Sequence, residues 1–540
     1  MVSRFTFHVS RFGWLAPVAV AFLLGLPHLS REQLWFDEVL SYTIYRHSPN
    51  LAEMTQYLAT HENHPPLYYY LMFAWVRWVG DSPAAVRLFS VAANAAAAGL
   101  LWGLSRKWFG PTIAIVTALA YAFSPISVEF SREARPYALI AVLAVASWWA
   151  LSAWLQRPQA RRSLWLFAVL TIFGLYTHYA YVFLFGSQLA AIALTVWRGR
   201  QRPEFPQRRF DLLVVLLGLT IGYAPWLTVM ANTLAAQYIA VEGLDPLSQV
   251  VTPVSFLALD VVFNALFFPA KFPLDPLGRI LHVMIVGVLL TGVVVALRQL
   301  RMAAAAARRP WRELGWLAWW LWLPPTLFFL SPFSGRYSWY YHRHLITVVP
   351  AVALAAAFGL TGLQQLLSGV FRRAPVAAAG LAAIFAFNLP QYFTNDSAWD
   401  PQHQFADVAA YIAAHDSGGR ELIIGFWPNY RIILDYYYRG PQTVGSLVPT
   451  QLFSNQLEIS RGSPRLTPME GYILTHPQAT YRRYRLPDEL DDFDVIWVVS
   501  VTQSLFDLDV ALAADGWTPS YVELPRPLNA TVYRFERRTP

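Results

Sequence analysis

The chain contains no cysteine. That absence excludes disulfides, thiol nucleophiles, thiolate metal sites and iron–sulfur clusters together, and it leaves oxygen and imidazole groups as the nucleophiles and ligands on offer. Charge is also scarce: Asp, Glu, Lys and Arg make up 14% of the 540 residues, against about 25% in an ordinary soluble domain. Something other than water must solvate much of this surface. No glycine-rich nucleotide-binding loop appears, so phosphate recognition of that kind is not encoded.

What is abundant is apolar sequence, at 56% of residues. Runs of about 16 to 19 residues recur, such as Phe12 to Leu29, Leu212 to Met230 and Ala374 to Leu389, each near the length that crosses a roughly 30 Å hydrocarbon core. The sequence therefore reads as an α-helical polytopic membrane protein. Its net charge is +8, but the basic residues lie between apolar runs and are not interleaved with aromatics on one face. Nucleic acid is a poor explanation for that pattern, and positive-inside topology is a better one. Arg4 and Arg11 precede the first apolar segment and no small-x-small cleavage site precedes Arg31, which reads as an uncleaved signal anchor.

With the N-terminus cytoplasmic, the first span ends near Ser30 and residues 31–87 form a large first outer loop whose amphipathic pieces lie on the membrane surface. Residues 67–80 are too short for a span and contain Arg77. The later connections then alternate: Arg106 and Lys107 inside, Ser131 to Tyr137 outside, Arg157 to Arg162 inside, His178 outside, and Arg198 to Arg209 inside. Pro246 to Pro276 falls outside with a re-entrant or extra paired segment, Arg298 to Arg312 inside, Ser331 to His344 outside, and Arg372 and Arg373 inside. About 11 spans result, at one crossing per apolar run. Residues 1–390 are thus expected to form the membrane domain. From Pro390 the composition turns mixed, with strand-like runs at Leu422 to Phe426 and Val495 to Ser500, so residues 391–540 are expected to form an extracytoplasmic α/β domain.

Chemistry-bearing residues gather in the expected outer loops. Trp35-Phe36-Asp37-Glu38 places adjacent carboxylates just past the first span. They suit a general base that takes a proton from an acceptor hydroxyl, with its neighbour holding a metal or a second contact; a solvated helix N-terminus, where the dipole favours acids, is the plain alternative. In His61-Glu62-Asn63-His64-Pro65-Pro66, imidazole and carboxylate crowd against a rigid turn. Glu62 and His64 suit a divalent cation, and they equally suit a polar turn that meets water. Glu129-Phe130-Ser131-Arg132-Glu133-Ala134-Arg135-Pro136-Tyr137 puts two arginines and two carboxylates at the outer end of a span, where positive-inside topology does not explain arginine. Guanidinium forks there suit a lipid phosphate, or else the four charges form an internal network. Tyr176 to Tyr179, containing His178, and Arg336 to His344, containing Tyr341 and Arg343, offer rings to a sugar or to the interfacial aromatic belt.

The Asp-Glu pair, the His-Pro-Pro-Leu-Tyr-Tyr stretch, Arg87 and the Ser-Arg-Glu-Ala-Arg-Pro-Tyr segment occur together in an order that resembles the bacterial GT-C glycosyltransferases of the family 39, protein O-mannosyltransferase and aminoarabinose transferase superfamily. The resemblance covers roughly residues 10 to 360. It implies a GT-C membrane domain in the bacterial inner membrane, a polyprenyl-phosphate sugar donor, a lipid, glycan or protein acceptor, and no nucleic-acid partner. It implies Asp37 as general base and Glu38 as a supporting or metal-linked acid. Arg87, Arg132, Arg135, Tyr137, His178, Tyr341 and Arg343 become the candidate donor-phosphate and substrate contacts. Some relatives carry Glu-Lys before Pro-Pro-Leu, where this chain has Asn63-His64, so a divalent metal is a suggestion and not a requirement. Direct displacement of the lipid phosphate would invert the anomeric centre. A lipid or glycan transporter would show charges in mid-span and broken helices, and Asp260 is the clearest acid in a largely apolar stretch; a receptor or scaffold does not require the first-loop acid pair.

Overall fold

The structure is a computed structural model that describes residues 12–30, 33–61, 64–157, 159–198, 200–201, 205–239, 287–298, 311–331, 341–367, 375–393, 405–425, 428–449, 455–459, 484–485, 490, 492–500, 508–522 and 531–537. Its first apolar run forms only a short helix, α1 (Leu15–Gly25). Leu26 keeps helical dihedrals, but Pro27 has no N–H to extend the hydrogen-bond ladder and His28 turns to a positive φ of 67°. The first loop then folds into three helices, α2 (Phe36–His47), α3 (Leu51–His61) and α4 (Leu67–Trp78). At 12 residues α4 is far below the roughly 20 that a span needs, as the reading of 67–80 anticipates.

The helical body follows. α5 (Pro83–Phe109) starts where the Ser82 hydroxyl accepts a hydrogen bond from the Ala85 N–H at 3.2 Å and Pro83 takes the first position, where its missing N–H leaves nothing unsatisfied. It stops at Gly110, whose φ of 90° suits a residue without a Cβ. α6 (Pro111–Ala122) and α7 (Pro125–Ser131) are separated by a 57° bend, with Ser124 capping the second piece. After them come α8 (Tyr137–Gln156), α9 (Arg161–Thr177), α10 (Tyr181–Arg198), α11 (Phe205–Ile239), α12 (Gly287–Arg298), α13 (Trp311–Leu330), α14 (Tyr341–His344), α15 (Val349–Leu367) and α16 (Val376–Phe393). α5 packs against α1, α6 and α8, α8 against α9, α10 against α13, and α15 against α6 and α16.

Among the described residues, five helices are long and apolar enough to cross a membrane: Pro83–Phe109, Tyr137–Gln156, Tyr181–Arg198, Arg209–Ala231 and Ile346–Leu367. The bent α6–α7 pair makes a sixth. The expected count of about 11, at one crossing per apolar run, is for the whole chain, whereas these six belong to the described residues alone. α1, α12 and α16 are shorter apolar helices, and the expected segment from Pro246 to Pro276 lies outside the described residues, as do Asp260, Arg372 and Arg373.

After α16, which continues through Pro390 to Phe393, α17 (Phe405–Ala414) leads into a seven-stranded sheet. Its strands are β1 (Glu421–Gly425), β2 (Thr443–Pro449), β3 (Asn455–Ile459), β4 (Tyr484–Arg485), β5 (Val495–Ser500), β6 (Trp517–Val522) and β7 (Thr531–Arg537). They lie in the order β4-β3-β2-β1-β5-β7-β6. β1 runs parallel to β2 and β5, and it is buried along its whole length, as is β5. Continuous apolar runs such as Leu422-Ile423-Ile424 and Val495-Ile496-Trp497 are what a strand covered on both faces requires. Between β1 and β2 sits α18 (Pro428–Tyr437), and between β5 and β6 sits α19 (Leu508–Ala514).

The α18 side of this unit grips the start of α2. Tyr437 donates to the Leu34 carbonyl at 3.1 Å, and the Tyr436 ring meets Tyr42 edge-on at 5.2 Å. The Gln33 side chain accepts from the Ala406 N–H at 2.8 Å and donates to Asp407 at 3.3 Å.

Small residues allow the closest helix contact. A Cβ added at Gly362 on α15 would collide with the Gly292 carbonyl oxygen of α12, the close approach of backbones that membrane helices use in place of a hydrophobic drive. Gly362→Val should lower stability by about 1–3 kcal/mol or more through overpacking. A thermal-unfolding scan in detergent checks it, and an unchanged midpoint would contradict the contact.

Candidate active site

The site is organised by the two acids of α2, which point to different environments. Glu38 is fully buried. Arg87 on α5 grips it through both arms, Nε to Oε1 at 2.9 Å and Nη2 to Oε2 at 2.6 Å. The Ala134 N–H donates to Oε1 at 2.7 Å and the Trp35 N–H to Oε2 at 3.3 Å. Arg87 is itself buried and also donates to the carbonyls of Leu29 at 3.1 Å and Gln33 at 3.0 Å. A bidentate pair whose remaining donors and acceptors are all met is the arrangement that makes a buried charge tolerable.

Asp37 is partly exposed, at 23% of its side chain. Its Oδ2 lies 3.1 Å from Arg343 Nη1 and 3.8 Å from Arg135 Nη2. Arg343 comes from α14, and its guanidinium also sits 4.5 Å over the Trp35 ring, a cation–π contact. Burial works against its charge, yet acidic neighbours, the Asp37 carboxylate among them, hold its pKa above the ordinary arginine value. Arg135, from the loop between α7 and α8, is buried; it donates to the Asp37 carbonyl at 3.2 Å, the Ser41 hydroxyl at 2.5 Å and His64 Nε2 at 3.1 Å.

Behind Arg135 three imidazoles from three segments meet. The ring centroids of His64 and His178 are 5.8 Å apart, and those of His178 and His344 are 5.6 Å apart. Tyr137 lies 5.8 Å from His178, and His344 stacks on Phe328. His178 is buried; burial, then His344, His64 and Arg135, keep its pKa well below the usual histidine value. It is therefore neutral, with Nδ1 accepting from the Ala180 N–H at 3.1 Å, so its proton sits on Nε2.

The structure thus brings together Asp37, Arg135, Arg343, Tyr137, His64 and His178, from five separate stretches of chain. Arg132 is directed elsewhere: its Nη2 donates to the Leu24 carbonyl of α1 at 2.7 Å and the Tyr392 carbonyl of α16 at 2.6 Å. Arg87 serves Glu38. Glu62 and the Tyr341 side chain fall outside the described residues. His64 Nε2 accepts from the Arg135 guanidinium; Glu62, its expected partner for a metal, is not among the described residues, and among those no group of three or more His, Asp or Glu side chains gathers to hold a metal. Ser41 was not anticipated, although its position four residues after Asp37 places both on one face of α2. Glu133 and His344 stand in charged or aromatic motifs that gave them no role of their own.

With this geometry established, comparisons with known proteins bear on what it does. The family model described as dolichyl-phosphate-mannose-protein mannosyltransferase matches residues 63–228, a segment that contains Arg87, Arg135 and His178. No curated protein matches the sequence at a significant level. Among solved structures, ArnT from Cupriavidus metallidurans bound to undecaprenyl phosphate is similar at 15% identity and a TM-score of 0.55, covering 97% of this chain and 98% of that chain. The same protein in its apo state is similar at 14% identity with the same coverage and TM-score. The oligosaccharyltransferase AglB from Archaeoglobus fulgidus aligns more loosely, at 11% identity, 97% and 76% coverage and a TM-score of 0.49. The chain shares the fold of ArnT.

The buried pair can be tested apart from chemistry. Arg87→Ala strands a buried carboxylate and should cost about 3–5 kcal/mol, whereas Glu38→Gln combined with Arg87→Met should recover much of that loss. Chemical denaturation in detergent checks both, and a double variant no more stable than the single would contradict the pairing.

Proposed function

We propose that this chain is a GT-C-type membrane glycosyltransferase that moves a sugar from a polyprenyl-phosphate donor to an acceptor hydroxyl at the extracytoplasmic face, with Asp37 as general base. One observation carries the reading: a partly exposed carboxylate stands at the start of α2 between two guanidiniums, Arg343 and Arg135, delivered by different elements. A reaction that expels a lipid phosphate needs one base near the acceptor and positive charge near the leaving group. The likeness to an ArnT structure bound to undecaprenyl phosphate supports a donor of that class.

In this reading the acceptor hydroxyl attacks the anomeric carbon as its proton passes to Asp37. The bond from that carbon to the phosphate oxygen breaks, the lipid phosphate leaves, and the anomeric centre inverts. Arg343 and Arg135 take up the phosphate charge. Because Arg343 pairs with Asp37 in the free site, an arriving phosphate competes for that guanidinium and frees the carboxylate for proton transfer. Glu38 and Arg87 act one layer below, holding α2 in register, and Arg132 ties the loop to α1 and α16; neither arginine is assigned a substrate contact. Tyr137 and His178 line the side of the site behind Arg135, where a sugar ring would pack. The acceptor is a lipid, a glycan or a protein hydroxyl, and the sheet unit that contacts α2 stands on the same face.

The test is sugar transfer by purified protein in lipid nanodiscs, supplied with labelled polyprenyl-phosphate sugars and a membrane extract. Asp37→Asn should retain the thermal unfolding midpoint and lose about 100-fold or more in rate, the scale of general base catalysis. Transfer by the wild type with equal transfer by Asp37→Asn would sink the role given to Asp37, and no consumption of any donor would sink the donor class.

A further inference from the structure

The loop between α7 and α8 is pinned on both sides of Glu133. On one side Arg132 is anchored to the carbonyls of Leu24 and Tyr392. On the other, the Ala134 N–H is bound to Glu38, and Arg135 is bound to the Asp37 carbonyl, Ser41 and His64. Glu133 is therefore presented from a rigid stretch of backbone, yet its own Oε2 is buried with no hydrogen-bond partner. A buried polar oxygen left unpaired is costly enough to call for an explanation.

The surroundings narrow the choice. Asp37 and Glu38 on α2, Glu129 on α7 and Arg343 on α14 are the charges that act on Glu133, and Tyr68 on α4 and Tyr137 on α8 are its titratable neighbours. Burial first, and then repulsion from the three carboxylates against the opposing pull of Arg343, pushes the Glu133 carboxyl up to about 8. At neutral pH it carries a proton. An ionised carboxylate at this place would repel an incoming phosphate, whereas a neutral carboxyl has an O–H to donate to one.

We infer that Glu133 is a further binding residue of the transfer site, a neutral carboxylic acid whose O–H donates a hydrogen bond to a phosphate oxygen of the lipid-linked donor. The inference rests on the donor class given under the proposed function. No proton changes hands in this role: the O–H stays on Glu133, and the acceptor's proton goes to Asp37.

The probe is polyprenyl phosphate, titrated against the wild-type protein in nanodiscs between pH 7 and 9.5, a range in which a phosphate monoester is already doubly ionised. Binding that needs the protonated carboxyl is full below its pKa and is lost as pH rises through it. Affinity should therefore fall above about pH 8 by about 10- to 100-fold, the worth of a hydrogen bond to a charged group. Glu133→Gln keeps an N–H donor and cannot ionise, so its binding should no longer vary with pH over this range, whatever its absolute strength. Wild-type binding that stays flat overturns the inference, and so does a Glu133→Gln variant that follows the same alkaline fall. If the wild type transfers sugar and binds the lipid phosphate without that fall, the donor reading stands and only the role of Glu133 is lost. If it neither transfers sugar nor binds the lipid phosphate, the donor reading fails and this inference with it.

Discussion

A carboxylate sealed away from water cannot stand alone, and the way Glu38 is satisfied sets the frame of the whole site. Arg87 on α5, the Ala134 N–H of the α7–α8 loop and the Trp35 N–H of its own helix start all converge on it. Three separate pieces of chain are thereby held in one relative position. Breaking such a pair strands a buried charge at a cost of several kcal/mol, so the arrangement resists distortion. The neighbouring Asp37, one residue back and turned about 100° around the helix, is left partly exposed with cations beside it. Two chemically similar side chains meet different surroundings because that rotation carries one into the packed interior and leaves the other partly exposed.

The same division runs through the arginines. Arg87 and Arg132 are anchored to groups within the fold, while Arg135 and Arg343 stand beside Asp37. Arg135 is intermediate in character, since its donors tie the loop to α2 and to His64 while its charge still faces the Asp37 carboxylate. The sheet unit adds a third constraint on α2 through Tyr437, Tyr436 and the Gln33 contacts. A helix held by α5, the α7–α8 loop and the sheet keeps Asp37 in one place, and under the proposed function positioning of this kind is a large part of what a transfer site needs.

Much of this was legible in the sequence. The low charge and long apolar runs announced a helical membrane body, and the turn to mixed composition after Pro390 announced the sheet, whose strands Glu421–Gly425 and Val495–Ser500 fall on the expected runs. The motifs around Asp37, His64 and Arg135 did converge in space. The shape of individual helices was less legible, because run length does not distinguish a full crossing from a short helix ended at Pro27, or a straight helix from one bent by 57° between α6 and α7. Individual roles within a motif were illegible for a related reason: Arg132 and Arg135 are three residues apart and look alike, but the loop turns one toward α1 and α16 and the other toward α2.

The sequence by itself determined the class of molecule and the inventory of its chemistry. Composition selects the solvent a chain must meet, and motifs carry their residue types wherever they fold, so the absence of thiols, the acids, arginines and histidines of the motifs, and the resemblance to GT-C glycosyltransferases were all present before any coordinates. Only the tertiary structure decided which acid is buried and which is open, which arginines support the fold and which face the site, and that Glu133 is held with an unpaired oxygen at its edge. Those outcomes depend on burial and on partners tens to hundreds of residues away, such as Glu38 with Arg87 and Asp37 with Arg343, and no local pattern in the chain encodes a distance of that kind.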